Sequence, residues 1–429
     1  EQFRRLLARA SSREITLSWA TISLKDRRER FPSPVLLDIY RTSTGNATAK
    51  FEDMDEVAKE NFVDRQPLSL WEWWLYRRFD LHPSDLRDAI LAAYPGLATG
   101  AEAEAARDSD AITPWDGKIA AGAAALDPRL NGAPYSASGL ETMASCPYRY
   151  FLGRILRVHP LEELEFDPDT WLNALDFGTM IHEVLEATMN EICEAGRKTS
   201  LAFLPRMKEI AATYLESWRA NVPPPSETAF ERQRDLLLDS CEIFLRTEER
   251  ECGEVTPKFF ELPFDDFRLP LGRGKSVTLR GFIDRVDYDE ARDEWHVWDY
   301  KSGSTYQFER GGRLQCGTKI QHAIYARAVE EKTGGRVTKS GYYFPTPQGA
   351  GARITRECTN QELSHALNLL FDTVAEGYYP HCGAGACTWC DFTEICGDAK
   401  KAAQRTERKI EANGSDPAVE AWLDLQEVK

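Results

Sequence analysis

Apolar and polar positions sort this chain into alternating strand and helix patterns, and one stretch anchors the rest. Gly281–Ser302 reads GFIDRVDYDEARDEWHVWDYKS. Thr278–Tyr288 is rich in β-formers (Leu279, Phe282, Ile283, Val286), and Trp295–Tyr300 is a second such run. The charged DEARDE between them predicts a turn, so the two runs predict a hairpin. Upstream, Phe177, Met180, Ile181, Val184 and Leu185 have the spacing of a buried helix face. Leu201–Ala220 and Ala229–Glu251 predict long amphipathic helices, and Phe259–Leu269 a strand with Pro263 at an edge or bend. A helix over Lys319–Lys332 and a strand over Lys339–Phe344 follow the hairpin. Strand, hairpin, helix and strand in that order predict an α/β fold, a mixed β-sheet core flanked by helices.

The N-terminal part predicts a smaller α/β segment. Glu14–Ser23 reads as a strand, and residues 62–94 as helices with Ser84 as an N-cap. Trp71, Trp73 and Trp74 have a spacing that suits helix core better than base stacking. The Ala/Gly-rich stretch before Tyr135 has linker composition. The expected division is residues 1–95, a linker over 96–134, and a domain over 135–429. Ser138–Glu141 has the spacing of a capping box, and Pro147 that of a first helical turn.

Composition narrows the functional classes. A chain of 429 residues with 42% hydrophobic residues has enough material for more than one core. No apolar run approaches the roughly eighteen residues of a transmembrane helix. The chain opens on Glu1 without a signal peptide, which points to a piece of a longer, cytoplasmic polypeptide. A net charge of −16 argues against a protein that coats nucleic acid, but not against a nuclease with a local basic groove.

The candidate chemistry lies on the hairpin. Asp299 and Lys301 are two apart and share a strand face, and Asp284 lies on the neighbouring strand. Two carboxylates with an ammonium can hold a divalent cation and a polarised water, as metal-assisted phosphodiester hydrolysis requires. The bland alternative is a surface Asp284 and a plain Asp299–Lys301 ion pair. His182, with Glu186 one turn on, is either a ligand or part of a paired solvated face. Gly178, one turn before it, would let another group approach closely. Glu261 is either a third carboxylate of the site or a plain surface residue, and reads as a supporting group at best; Arg273 and Lys275 offer backbone contacts to a phosphate. Gln321 and Tyr325 share a helix face. The chain contains no G-x-x-x-x-G-K-[ST] loop, so it should not hydrolyse ATP by itself.

Ten cysteines are present. Six of them (Cys193, Cys241, Cys252, Cys316, Cys358 and Cys382) are scattered and read as ordinary thiols. Cys387, Cys390 and Cys396 form C-x2-C-x5-C, the spacing of a zinc or iron–sulfur site that needs a further ligand. Cys382 is the near candidate for that ligand and Cys146 the far one.

GTMIHEVLE, GFIDRVD, DYKSG and QHAIY occur in that order, and together they resemble the motifs of RecB-type nucleases of the PD-(D/E)xK superfamily. SASGLETMASCPYRYF upstream and the C-x2-C-x5-C downstream are similar to the iron–sulfur variant in AddB-type helicase–nuclease subunits. The resemblance implies a restriction-endonuclease-like fold stapled by a [4Fe–4S] cluster on Cys146, Cys387, Cys390 and Cys396. It implies Mg²⁺ or Mn²⁺ held by His182, Asp284, Asp299 and the Tyr300 carbonyl. Lys301 would position or activate the water and stabilise charge on the phosphate, with Gln321 and Tyr325 orienting Lys301 or the DNA strand. It further implies DNA as substrate, a helicase partner subunit or the rest of a longer chain, and a helicase-like remnant in residues 1–95. The activity implied is exonucleolytic processing of double-strand breaks. Other readings are a stand-alone nuclease of the CRISPR-adaptation type, a catalytically silent DNA-binding module, and a redox protein built on the cluster.

Overall fold

The computed structural model describes residues 17, 31–54, 69–70, 72–74, 82–119, 123–159, 167–251, 255–309, 313–382, 384–387 and 390–429. They fall into two compact units, Glu1–Ala101 and Glu102–Lys429.

In the first unit, helix α1 (Pro34–Thr44) is capped by Ser33 and ends at Gly45, whose φ of +70° suits a residue without Cβ. Arg41 and Tyr40 donate to the carbonyls of Ala49 and Asp53 and fold the next turn back onto it. Helix α2 (Pro83–Ala93) starts at Pro83 with His82 as N-cap. Ser84, the expected cap, lies inside the first turn because Pro83 takes the N1 position. Trp74 packs edge-on to Trp73 and donates to the Tyr94 hydroxyl at 2.8 Å. The expected Glu14–Ser23 strand and Trp71 lie outside the described residues, Leu17 apart.

Helix α3 (Pro95–Asp108) opens the stretch read as a linker. Within the second unit, the later part of that stretch is bound to the core. Ile119 N–H donates to Gly377 O at 2.7 Å, and Tyr379 N–H to Gly117 O at 2.9 Å. A Cβ on Gly117 would lie 2.2 Å from Tyr379 O, so only glycine permits this contact. Arg129 binds Asp127 and Asp372 at 2.9 and 2.6 Å.

The second unit continues with α4 (Ala137–Ser145), α5 (Ala174–Glu194), α6 (Leu204–Asn221) and α7 (Glu227–Glu251). Strands β1 (Thr256–Gly272), β2 (Lys275–Asp289) and β3 (Glu294–Tyr300) then form an antiparallel meander. Helix α8 (Gln321–Thr333) crosses over to β4 (Arg336–Phe344), which pairs parallel with β3. Strand β5 (Ala352–Thr355), α9 (Asn360–Ala375), α10 (Ala399–Ala412) and α11 (Pro417–Glu427) complete it. The result is a mixed five-stranded sheet, order β1-β2-β3-β4-β5.

Side-chain alternation splits the sheet between two cores. Val286 lies opposite Val297, and both pack with α4, α8, α9 and α11. Trp298 and Tyr300 point the other way and pack with α5, α6 and α7. Asp299 therefore shares the Val297 face, towards α8. Beneath the second core, Arg285 is fully buried and bound to Glu248 at 2.8 Å and Asp287 at 2.7 Å, and Arg353 also contacts Glu248. Burying those charges is tolerable because each has an opposite partner.

Candidate functional site

The C-terminal end of β3 gathers the residues predicted from the motifs. Register places Asp284 opposite Asp299, one step beyond the Arg285–Trp298 pair, and both carboxylates are buried. Tyr300 N–H donates to Asp284 Oδ2 at 2.5 Å. Lys301 leaves the strand with its N–H bound to Tyr343 O at 2.8 Å, and its Nζ contacts Asp299 Oδ2. The same Nζ donates to Gln321 Oε1 at 3.0 Å, and Gln321 Nε2 donates to Tyr325 OH at 3.4 Å. Gln321 and Tyr325 share one face of α8, as their spacing predicts. Tyr300 turns its ring into the other core, edge-on to His182 at 5.6 Å.

His182 reaches this cluster from α5. Its Nδ1 lies 3.8 Å from Asp284 Oδ2 and 3.5 Å from Glu261 Oε1. The ligand atoms of His182, Glu261 and Asp284 lie within 4.8 Å of one another. Glu261, expected at most to support the site, therefore stands inside it; a φ of +44° at this residue departs from regular strand geometry. Gly178 faces Ser302, but a Cβ there would meet Ser302 Oγ at 3.4 Å, an ordinary contact, so the approach does not require glycine. Arg273 and Lys275 lie at the β1–β2 turn, roughly 30 Å along the strand from Asp284, too far to touch the same phosphate.

The electrostatics suit a cation. Burial, then Asp299, pushes the Asp284 carboxyl up to about 7. Burial alone would lower His182, but Asp284 and Glu261 outweigh it and push it up to about 9. Burial likewise opposes the Lys301 charge, and Asp299 overcomes it and raises the lysine above its ordinary value. Carboxylates with one imidazole, gathered so closely that Asp299 helps raise Asp284, fit a divalent cation such as Mg²⁺ or Mn²⁺.

The predicted cysteines line a second cavity. Cys146, Cys382, Cys387, Cys390, Cys396 and His381 all face it, together with apolar Phe392. Cys382 Sγ lies 3.8 Å from Cys387 Sγ, and Cys387 Sγ lies 4.0 Å from His381 Nε2. A hydrogen bond from Cys382 outweighs burial and lowers the Cys146 thiol to about 6. Thiols with one imidazole around a single cavity fit an iron–sulfur cluster or zinc. Cys382 is thus not among the scattered thiols; the irregular segment after Tyr378 brings it in, with His381, which sequence reasoning did not single out. His381 is adjacent to Cys382 and near the C-x2-C, which was the available signal.

Glu141 also departs from expectation. The capping box does not form, because Ser136, not Ser138, caps α4 through Gly139 N–H at 3.1 Å. Glu141 Oε1 instead accepts from Ile320 N–H at 2.7 Å and Gln321 N–H at 3.0 Å. Pro147 does occupy a first turn, with Cys146 as N-cap.

Comparison with known proteins gives a consistent result. The profile of a family described as the PD-(D/E)XK nuclease superfamily matches residues 134–397. A protein of Symbiobacterium thermophilum named as an ATP-dependent helicase/deoxyribonuclease subunit is 30% identical over 240 residues, 49% of this chain and 19% of that protein. Proteins of the same name from Caldanaerobacter subterraneus and Clostridioides difficile are 28% and 26% identical over 250 and 217 residues. These matches cover 53% and 46% of this chain and 20% and 17% of the relatives, so the chain spans about a fifth of their length.

Proposed function

The chain belongs to the PD-(D/E)XK nuclease superfamily, and on that footing we propose that it is the nuclease part of a helicase–nuclease, hydrolysing DNA phosphodiesters from strand ends during break repair. The observation that carries the reading is the contact of Lys301 with both Asp299 and Gln321, beside Asp284 and His182. The partner is a helicase subunit or the remainder of a longer chain, and the compartment is the cytoplasm. Among the described residues, no helix is long and apolar enough to cross a membrane. The nuclease module is taken as 135–429 together with the core-bound part of 96–134, leaving 1–95 as a helicase-like remnant.

In this mechanism His182, Asp284, Asp299 and the Tyr300 carbonyl would hold Mg²⁺ or Mn²⁺. When bound, that cation supplies Lewis acidity, lowering the pKa of water and withdrawing charge from the phosphate. Glu261 binds His182 Nδ1 and fixes the ring, or adds a carboxylate to the ligand set. Lys301 remains protonated and donates to the charge that builds on the phosphate in the transition state. Gln321 takes one Lys301 proton in a hydrogen bond and so fixes where the ammonium points. Tyr325 holds the Gln321 amide in turn.

Cys146, Cys387, Cys390 and Cys396 would hold a [4Fe–4S] cluster in a structural role; Cys382 and His381 line the same cavity. Such a cluster would tie Cys146, at the start of the module, to its C-terminal part. The exonuclease assignment is tested with linear and closed circular single-stranded DNA in Mg²⁺ or Mn²⁺. Loss of the linear strand with survival of the circle is expected, and equal cleavage of both would make the enzyme an endonuclease.

A further inference from the structure

Helix α8 carries Gln321 on its first turn, yet its own sequence supplies no cap: Ile320 stands at the N-cap without a side-chain hydrogen bond. The first N–H groups of a helix need acceptors, and an anion there also meets the favourable end of the helix dipole. Glu141 provides the acceptor from a distant segment, with Oε1 accepting from the Ile320 and Gln321 amides, although burial pushes its carboxyl up to about 7. The residue whose amide is anchored in this way is the one whose side chain receives the Lys301 proton.

Glu141 is itself firmly placed. Its neighbours Leu140, Met143 and Ala144 are buried in the main core. The loop leading to α8 presses on α4, since a Cβ on Gly317 would lie 3.1 Å from Ala144 Cβ. At the end of α4, Cys146 N–H closes the helix on Thr142 O at 3.0 Å, and its thiol faces the cysteine cavity. One short helix thus has the α8 cap on it and a cysteine ligand candidate at its end.

We propose that Glu141 is a positioning residue for the nuclease reaction: by capping α8 it holds Gln321, and through Gln321 it holds Lys301. The inference rests on the nuclease reading above for what Lys301 does, but the contact chain is independent of that reading. Removing the Glu141 carboxylate frees the first turn of α8 to fray, and the Lys301 ammonium loses a fixed acceptor.

The test compares the full chain, its bound groups in place, with Glu141→Ala, Glu141→Gln, Gln321→Ala and the Glu141→Ala/Gln321→Ala double variant. Two quantities are read well below each variant's unfolding transition. One is kcat and KM for DNA cleavage; the other is the rate at which an amine-directed reagent modifies Lys301, followed by peptide mass spectrometry. Glu141→Ala is expected to lower kcat roughly tenfold or more with KM within about twofold, and to change the Lys301 modification rate several-fold. Glu141→Gln, which keeps a carbonyl acceptor, should recover most of both. With Gln321 already replaced, Glu141→Ala should add less than about twofold to either. Unchanged kcat and modification in Glu141→Ala overturn the proposal, as does its full effect persisting without Gln321. Should the wild-type chain cleave no DNA with metal and its helicase partner present, the nuclease reading fails, and the modification rates still decide whether Glu141 positions Lys301.

Discussion

The Lys301 ammonium sits between the Asp299 carboxylate and the Gln321 amide oxygen, in contact with the first and 3.0 Å from the second. Its charge is the nearest cation to a carboxylate that, in the proposed mechanism, holds a metal ion. Replacing Lys301 by Ala should therefore have opposite effects on binding and on chemistry. Divalent-metal affinity should stay within about tenfold of wild type, on the tighter side, because a competing positive charge is gone. The cleavage rate should fall by roughly a hundredfold or more. Calorimetric Mn²⁺ titration alongside rate measurements checks both, and a variant that loses metal binding would assign Lys301 a structural part instead.

Metal binding should strengthen with pH. Without metal, the His182 imidazole stays protonated up to about 9 and the Asp284 carboxyl up to about 7. Both must lose their protons to act as ligands, so binding expels protons and low pH opposes it. Apparent affinity should rise about tenfold per pH unit between about 7 and about 9, more steeply below 7, and level off above 9. Titrations across that range in buffers of different ionisation enthalpy report the affinity and the protons released. A flat profile would mean that His182 does not bind the metal.

The Arg285–Glu248 pair is buried on both sides and is shared with Asp287 and Arg353. Glu248→Ala would leave two guanidinium groups short of a counter-charge beneath β2. Denaturant unfolding should show a loss of about 3–5 kcal/mol, with Glu248→Gln less affected. A loss below about 1 kcal/mol would show that the network contributes little to folding.

Much of this site was legible because its signals are local. The alternation through Val297, Trp298, Asp299, Tyr300 and Lys301 fixed which side chains share a face, and the DEARDE turn fixed the partner strand. The helical spacing around His182 and the Gln321–Tyr325 pair is equally short-range. Glu141 was misread because its position relative to Ser138 imitates a local capping box, while its actual partners, Ile320 and Gln321, are 179 and 180 residues away. Glu261 was given too little weight for a related reason: its backbone departs from regular strand geometry, and nothing in its neighbours announces the positive φ. Cys382 lies outside the C-x2-C-x5-C spacing, and the contact of Tyr148 N–H with Pro380 O at 3.2 Å, which no local pattern announces, holds its segment beside Cys146.

The cysteine cavity makes a separate prediction, since it offers more thiols than a four-ligand cluster needs. Anaerobically prepared Cys146→Ala, Cys387→Ala, Cys390→Ala and Cys396→Ala chains should each lose bound iron and the associated visible absorption. Cys382→Ala should keep both. Loss of iron in Cys382→Ala would place that thiol in the ligand set, and zinc without iron in the wild-type chain would replace the cluster by a zinc site.

The central claim is that Asp299 and Lys301 carry metal-dependent DNA hydrolysis. Its most direct test follows end-labelled single- and double-stranded DNA with anaerobically purified protein, its helicase partner supplied, in Mg²⁺ or Mn²⁺. Asp299→Ala and Lys301→Ala chains are run beside the wild type. The expected result is degradation by the wild-type chain only when metal is present, with none by Asp299→Ala and a loss of roughly a hundredfold or more in Lys301→Ala. Degradation that persists in a well-folded Asp299→Ala chain, or none by the wild type with both metal and partner present, would contradict the account.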